Sequence, residues 1–344
     1  MIFIDGSYLS GGGQILRTAL SLSMITQTPF EMKNIRAGRS KPGIKPQHLQ
    51  CIHAFHAISK CKTEHAEVGS NQIKFIPGSI SEHSIVLDVG TAGSLTLILQ
   101  SLLPALLFFE RRMTIDLTGG TDVAWSPQTD YFEQVILPHF RPYAEINYQL
   151  MRRGYYPKGY GKIRLIFEPK FSKEELRIQP SIELMDRGPL ENIEGIAHAS
   201  VRLKQGKVVE RMIEAATVEL SDMGSPNFQT DYRDTLSPGA GMTCWATYSS
   251  QNPHPVIIGS DVLGERRVSA ENVGRQCAAK LKAFMESGSP VDPHLADNLI
   301  PLLGLFGGRF KTVSITDHTK TNIWLVENFL EKRFSISGNV ITAQ

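Results

Sequence analysis

KTVSITDHTKTNIWLVENFLEKR, residues 311–333, changes its periodicity half-way along. Thr312, Val313, Ser314 and Ile315 are β-prone and read as a short buried strand. Thr316, Asp317, His318 and Thr319 favour turns and helix caps. From Asn322 the apolar residues Ile323, Val326, Phe329 and Leu330 recur at helical spacing. Strand, cap and helix in that order make an α/β unit, with His318 at the helix mouth. Unpaired amide N–H groups and the positive end of the helix dipole point outward there, which suits a phosphate. A neutral imidazole facing a phosphoryl centre can attack it and hold the product as a phosphoramidate. A histidine that only lines a loop would give the same stretch, so other segments decide.

Working outward, the same order of elements recurs. Ile2 to Asp5 reads as a strand, GSYLSGGG at 6–13 as a glycine turn, and the chain from Gln14 as an apolar helix. In that helix Ile15, Leu16, Ala19, Leu20 and Ile25 share a face, with Arg17 pointing elsewhere. Phe30, Met32 and Ile35 suggest a strand, followed by a basic loop and a helix from Pro46, a first-turn position that tolerates proline. Ile85 to Val89, the GTAG loop at 90–93 and the greasy run Leu95–Phe109 repeat the order. Met113–Leu117, GGTD at 119–122 and a helix around Asp130–Phe140 give a third copy. Asp297–Phe306, Gly307-Gly308 and the opening stretch give a fourth. Stacked α/β units, each burying its sheet under its helices, account for this recurrence.

The rhythm breaks between Leu184 and Gly288. Strands are expected at Gly195–Leu203 and Met242–Tyr248, and helices at Lys207–Asp222 and Ser269–Ser287. Gly224–Gly241 reads as a polar connector. These features describe a smaller α/β domain, 184–288, inserted between the third and fourth copies, the larger domain being 1–183 plus 289–344.

Composition narrows the class. A chain of 344 residues, 41% hydrophobic and 20% charged, is ordinary for a globular protein. A net charge of only +2 requires any nucleic-acid contact to come from a local patch. The start MIFIDGS lacks the basic and apolar regions of a signal peptide. Leu95–Phe109 is interrupted by Gln100, Ser101 and Pro104 and falls short of the roughly 20 apolar residues that cross a bilayer. Cys51, Cys61, Cys244 and Cys277 have neither CxxC pairing nor metal-ligand spacing, so reduced thiols and a cytoplasmic location are expected.

Arg36, Arg39, Lys41 and Lys45 supply such a patch, interleaved with glycine and proline beside a helix start. GSYLSGGG is neither a Walker A loop nor GxGxxG, yet a glycine turn into a helix still exposes amides to an anion. Gln100 interrupts an apolar helix, and Asp297 with Asn298 opens another.

Together these blocks resemble the RNA 3′-terminal phosphate cyclase family over essentially the whole chain. The matching stretches are Asp5-Gly6, GGGQILR at 11–17, IRAGRSKPG at 35–43 with Gln47-His48, and GTAGSLTLILQSLLPAL at 90–106. GGTD at 119–122, GERRVSAE at 264–271, HLADN at 294–298 and DHTKTN at 317–322 complete them in the family's order. The resemblance implies an α/β fold of repeated βαβαββ-type units, as in enolpyruvyl transferases, with an inserted smaller α/β domain. It also implies ATP-dependent cyclisation of an RNA 3′-phosphate through a covalent histidine–AMP and an RNA-adenylate, with a divalent metal, Mg²⁺ or Mn²⁺.

By position, His318 would be the nucleophile. Gln100, Pro127, Tyr131 and the segment His294, Leu295, Ala296, Asp297 and Asn298 would hold the adenylate. Arg17, Arg36, Arg39, Lys41, Gln47 and His48 would face phosphates of RNA or ATP. The family's metal-associated glutamate is replaced by Ser10, a poorer ligand for a hard ion, and the metal ligands are left unassigned. His294 and Asn298 depart from the tyrosine and glutamine of bacterial relatives. The expected partner is RNA with a 3′-terminal phosphate, without a membrane or an obligate protein partner. A non-catalytic relative acting in ribosome assembly is the alternative, although those relatives lack the histidine found at 318. An enolpyruvyl-transferase-like enzyme fits the basic loop less well.

Overall fold

A computed structural model describes residues 1–9 and 12–344. Three sheets share one strand order. The first unit runs β1 (Ile2–Asp5), α1 (Gly13–Thr26), β2 (Phe30–Lys33), α2 (Pro46–Ile58), β3 (Lys62–Glu64) and β4 (Ile73–Ile76). The second runs β5 (Ser84–Asp88), α3 (Leu95–Leu106), β6 (Met113–Gly119), α4 (Thr129–Tyr131), β7 (Ala144–Arg152) and β8 (Gly161–Pro169). A short α5 (Lys173–Leu176) leads to the third unit, which starts at β9 (Ile182–Leu184).

Residues from β10 (Leu190–Ser200) through α6 (Val208–Glu219), β11 (Asn227–Arg233), β12 (Ala240–Tyr248), β13 (Val256–Leu263) and α7 (Ala270–Glu286) then intervene. The third unit resumes with α8 (Pro293–Phe306), β14 (Gly308–Lys311), α9 (Asp317–Phe329), β15 (Phe334–Ser337) and β16 (Val340–Ala343). The orders β1-β2-β4-β3, β5-β6-β8-β7 and β9-β14-β16-β15 are equivalent. Each pairs its first two strands in parallel, Ile2 opposite Phe30, Ser84 opposite Thr114 and Ile182 opposite Gly308. The remaining pairs in all three sheets are antiparallel. A parallel pair needs a helical crossover and an antiparallel pair only a turn, so βαβαββ follows from the ladder pattern.

Several expectations are corrected here. There are three repeats, not four, because Ile85–Phe109 and Met113–Phe140 are two halves of one unit. The intervening sheet therefore falls inside the third repeat. The strand expected at 312–315 lies at Gly308–Lys311, one step earlier, where it can pair with β9 and β16. The strand expected to reach Leu203 stops at Ser200, and 201–206 form a 3₁₀ turn. The polar connector contains β11, an edge strand whose alternation is masked by polar residues on both faces. Val256–Leu263 is a further strand of that sheet. The helix around Asp130 passes from α4 into a π-helical turn, Phe132–Ile136, and a 3₁₀ turn, Leu137–His139.

The helices meet in the middle. α1 packs on α3 and α9, and α8 on α9 and α3. All twelve residues of α3 are buried except Gln100. An all-round apolar helix is stable only when covered on every side, and here three repeats cover it. No helix among the described residues is long and apolar enough to cross a membrane.

Candidate active site

A cleft of about 1180 Å³ opens where these helices begin. Gly12 with Gly13, Gln14, Arg17 and Thr18 of α1, Lys45 with Gln47 and His48 at the start of α2, Ser94 before α3, His294 of α8 and His318 of α9 all line it. Five helix starts therefore border one volume, each contributing the partial positive charge of its dipole, and Gly12 before α1 offers no side-chain cap. Arg17, Arg36, Arg39 and Lys45 add four cations to its wall. No salt bridge joins any of these four to a carboxylate of the described residues. A cation cluster at helix starts, without carboxylate partners among the described residues, suits an anion such as phosphate.

His318 is exposed at the second helical position of α9. Thr316 caps the helix by accepting from the Thr319 amide at 2.9 Å. Its hydroxyl and that of Thr319 donate to Asp297 Oδ1 at 2.7 and 2.5 Å. Asn322 donates to the Asp297 carbonyl at 2.7 Å and accepts from Thr18 at 2.9 Å, tying α9 to α8 and α1. Gln14 donates to the His318 carbonyl at 3.2 Å. The backbone under His318 is thus held from two neighbouring helices. A Cβ added to Gly12 would lie 3.7 Å from His318 Cε1 and 3.8 Å from Arg39 Nη2. Imidazole and guanidinium converge over the same glycine.

His48 is buried against the neighbouring Gly13. Its Nδ1 accepts from the Lys45 amide at 3.2 Å, so the neutral ring carries its proton on Nε2. Burial first, then the charges of Arg17, Arg36 and Lys45, push its pKa down to about 3. A Cβ on Gly13 would strike its Nε2 at 1.9 Å, so only glycine lets α1 begin there. The Arg36 Nε is buried with no hydrogen-bond partner among the described residues. Burial and the neighbouring Arg39 charge lower its pKa from the usual arginine value.

Pro127, Tyr131, His294 and Asn298 line the other end with Gln100. Tyr131 and His294 meet edge to face, ring centroids 6.4 Å apart. The Tyr131 hydroxyl donates to Asp292, the N-cap of α8, at 2.7 Å. Asp297 lies on the wall between this end and His318. Burial raises its carboxyl above the usual range, against the stabilising hydroxyls of Thr319 and Thr316.

Of the sequence candidates, twelve line the cleft: His318, Gln100, Pro127, Tyr131, His294, Asp297, Asn298, Arg17, Arg36, Arg39, Gln47 and His48. Leu295 and Ala296 instead point into the core, both fully buried. Helical geometry accounts for this, because His294, Asp297, Asn298 and Pro301 at i, i+3, i+4 and i+7 form the cleft face and Leu295 and Ala296 fall outside that stripe. Lys41 is exposed outside the cleft, and Lys45 takes the place expected of it. Gln47 lines the wall with its amide spent, accepting from Ser94 N–H at 2.6 Å and donating to Ser94 O at 2.9 Å. Arg17, off the apolar face of α1, points into the cleft. α8 begins at Pro293, so Asp297 sits within the helix and Asp292 supplies the cap. Asp261, from β13, also reaches the cleft, accepting from the Gln128 amide at 2.8 Å. Nothing in the local sequence marks it, since the intervening sheet brings it there.

A family model described as RNA 3′-terminal phosphate cyclase matches residues 8–336. The chain belongs to this family. Relatives carrying the name RNA 3′-terminal phosphate cyclase include one from Pyrococcus furiosus, 41% identical over 99% of this chain and 96% of its own. One from Caldivirga maquilingensis is 41% identical over 100% of this chain and 99% of its own, and one from Archaeoglobus fulgidus 39% over 99% of each. The cyclase relatives thus match this chain from end to end, intervening sheet included.

A divalent ion finds no cage among the described residues. Asp122, Asp130 and His198 bring ligand atoms within 4.8 Å of one another. The Arg153 guanidinium already fills that cluster, 3.1 Å from Asp122 and 2.9 Å from Asp130. Its fixed charge does what a metal would do there. Asp5 Oδ1 is taken up by Ser7 and Asn34. Ser10 lies outside the described residues.

Proposed function

We propose that this cyclase-family chain uses ATP to convert an RNA 3′-terminal phosphate into a 2′,3′-cyclic phosphate, with His318 as the nucleophile. An imidazole nitrogen attacks the α-phosphorus, the bond to the bridging oxygen breaks, and pyrophosphate leaves with the electron pair. A 3′-phosphate oxygen of RNA then attacks the same phosphorus. The P–N bond breaks, its electrons return to the ring, and an RNA-adenylate forms. The vicinal 2′-hydroxyl attacks the RNA phosphorus with loss of its proton, and AMP departs.

Arg36, Arg39, Arg17 and Lys45 would neutralise the phosphates, and the helix starts would bind the charge that develops. Ring closure by a hydroxyl on the same ribose needs chiefly that the groups be held together. Pro127, Tyr131, His294 and Gln100 would take the adenosine. We read residues 1–183 with 289–344 as the catalytic repeats and 184–288 as the inserted domain.

The observation that carries this reading is an exposed histidine held at a helix start in a cleft whose arginines have no carboxylate partner among the described residues. The test is incubation with α-labelled ATP and Mg²⁺ or Mn²⁺, followed by assay for acid-labile, alkali-stable label. Wild type is expected to take label and His318→Ala none. Equal labelling of both removes His318 from the mechanism. Labelling of neither favours a non-catalytic RNA-binding role.

A further inference from the structure

Two aromatic rings stand in solvent at the rim of the cleft. Trp125 is 98% exposed and Tyr156 76% exposed, yet both line the cavity that holds His318. Large aromatic side chains normally dominate cores and interfaces, so a free indole face beside a cation-lined cleft calls for a partner. Neither ring sits on a loose tip. Trp125 is held at φ +67, a region L-residues seldom adopt, and Ser126 Oγ donates to the Val123 carbonyl at 2.9 Å across the turn.

Tyr156 lies in the β7–β8 turn, which is fastened on both sides. The Tyr155 hydroxyl bonds His198 at 2.8 Å, and the Lys158 amide donates to Ser237 at 3.1 Å. A Cβ on Gly159 would come within 2.7 Å of Ala92, so the turn also rests on the 90–93 loop. Lys158 itself is exposed on this turn, adding a cation next to the rings.

We propose that Trp125 and Tyr156 form a stacking platform for bases at the single-stranded 3′ end of the RNA. Unpaired bases stack on aromatic faces while cations track the backbone, which gives affinity with little sequence preference. Rigid rings lose little entropy on stacking, and charge complementarity with the arginine wall orients the strand so that its terminal phosphate enters the cleft. This inference rests on the cyclase reading above.

The test separates the two. Michaelis constants are measured with a 3′-phosphorylated single-stranded oligonucleotide, and self-labelling with ATP is measured without RNA. Trp125→Ala is expected to raise KM for RNA about 5- to 100-fold, with kcat and self-labelling unchanged. Trp125→Phe should recover most of the loss. With abasic terminal and penultimate nucleotides, wild type and Trp125→Ala should converge. An unchanged KM, or the same loss on the abasic substrate, overturns the platform. Slower self-labelling also overturns it, by assigning the ring to the adenine of ATP.

If wild type takes no label the cyclase reading fails by itself. The platform is then decided by fluorescence. The other two tryptophans are Trp245, in the core, and Trp324, stacked on Tyr8 at 4.2 Å. The emission difference between wild type and Trp125→Phe therefore reports Trp125. Quenching of that difference by the oligonucleotide upholds base stacking, and no quenching refutes it.

Discussion

His318 and His139 carry the same imidazole into opposite surroundings. His318 stands in solvent at the mouth of the cleft. His139 is 1% exposed, and neither ring nitrogen has a hydrogen-bond partner among the described residues. It stacks on His254, ring centroids 5.8 Å apart. Burial, followed by the His254 charge, pushes its pKa down to about 3. The unfolded chain would then bind a proton near pH 6.5 that the folded chain refuses until near pH 3. Stability from this group is complete above pH 6.5 and is lost as pH falls through that window. His139→Phe keeps the stacked ring and removes the titration. Between pH 7.5 and 5 the variant should lose roughly 2 kcal/mol less than wild type, measured by denaturant unfolding at both pH values. Identical losses would show that His139 does not titrate this way. Sequence could not reveal this, because a lone histidine in LPHF reads the same whether buried or exposed.

At the scale of elements, α9 is placed by its first turn. Asp297 sits on α8, and its carboxylate takes both hydroxyls of the Thr316–Thr319 cap. Thr316→Ala should cost about 1 kcal/mol of stability. Self-labelling should slow roughly ten- to a hundred-fold, since small displacements of a reacting group are costly. Thr316→Ser should restore both. A labelling rate untouched by Thr316→Ala would mean that the cap does not position His318. The cap residues were readable from TDHT, and the helix from its periodicity. The strand before it was misplaced, because Thr312, Val313 and Ile315 carry the stronger β propensity, and only pairing with β9 and β16 selects Gly308–Lys311.

Across the whole molecule, one buried cation is among the links between the repeats and the intervening sheet. Arg153, at the end of the second repeat's β7 region, bonds Asp122 and Asp130 of that repeat and Asp231 of β11 at 2.8–3.1 Å. Arg233 also pairs with Asp231 at 2.6 Å. Three carboxylates thus face two guanidiniums. Burial, and then the adjacent Asp122 charge, push the Asp130 carboxyl up to about 7 despite Arg153, which brings the cluster toward neutrality. Arg153→Met would leave buried carboxylates without their cation and should cost on the order of 3–5 kcal/mol. Asp130→Asn near pH 6 should cost much less, because burial and the Asp122 charge favour the protonated form of the native group. Equal effects of the two in thermal unfolding would contradict this division of charge.

The sequence by itself determined the α/β class, the glycine turns, the His318 cap and the arginine loop, because each depends on residues near one another in the chain. Only the tertiary structure decided that there are three repeats. It also determined that Gln47 is spent on Ser94, that Leu295 and Ala296 face inward, and that Asp261 and Trp125 share a cleft with His318. Those outcomes depend on which strands pair and which helix starts converge, contacts between residues far apart in the chain that no local pattern records.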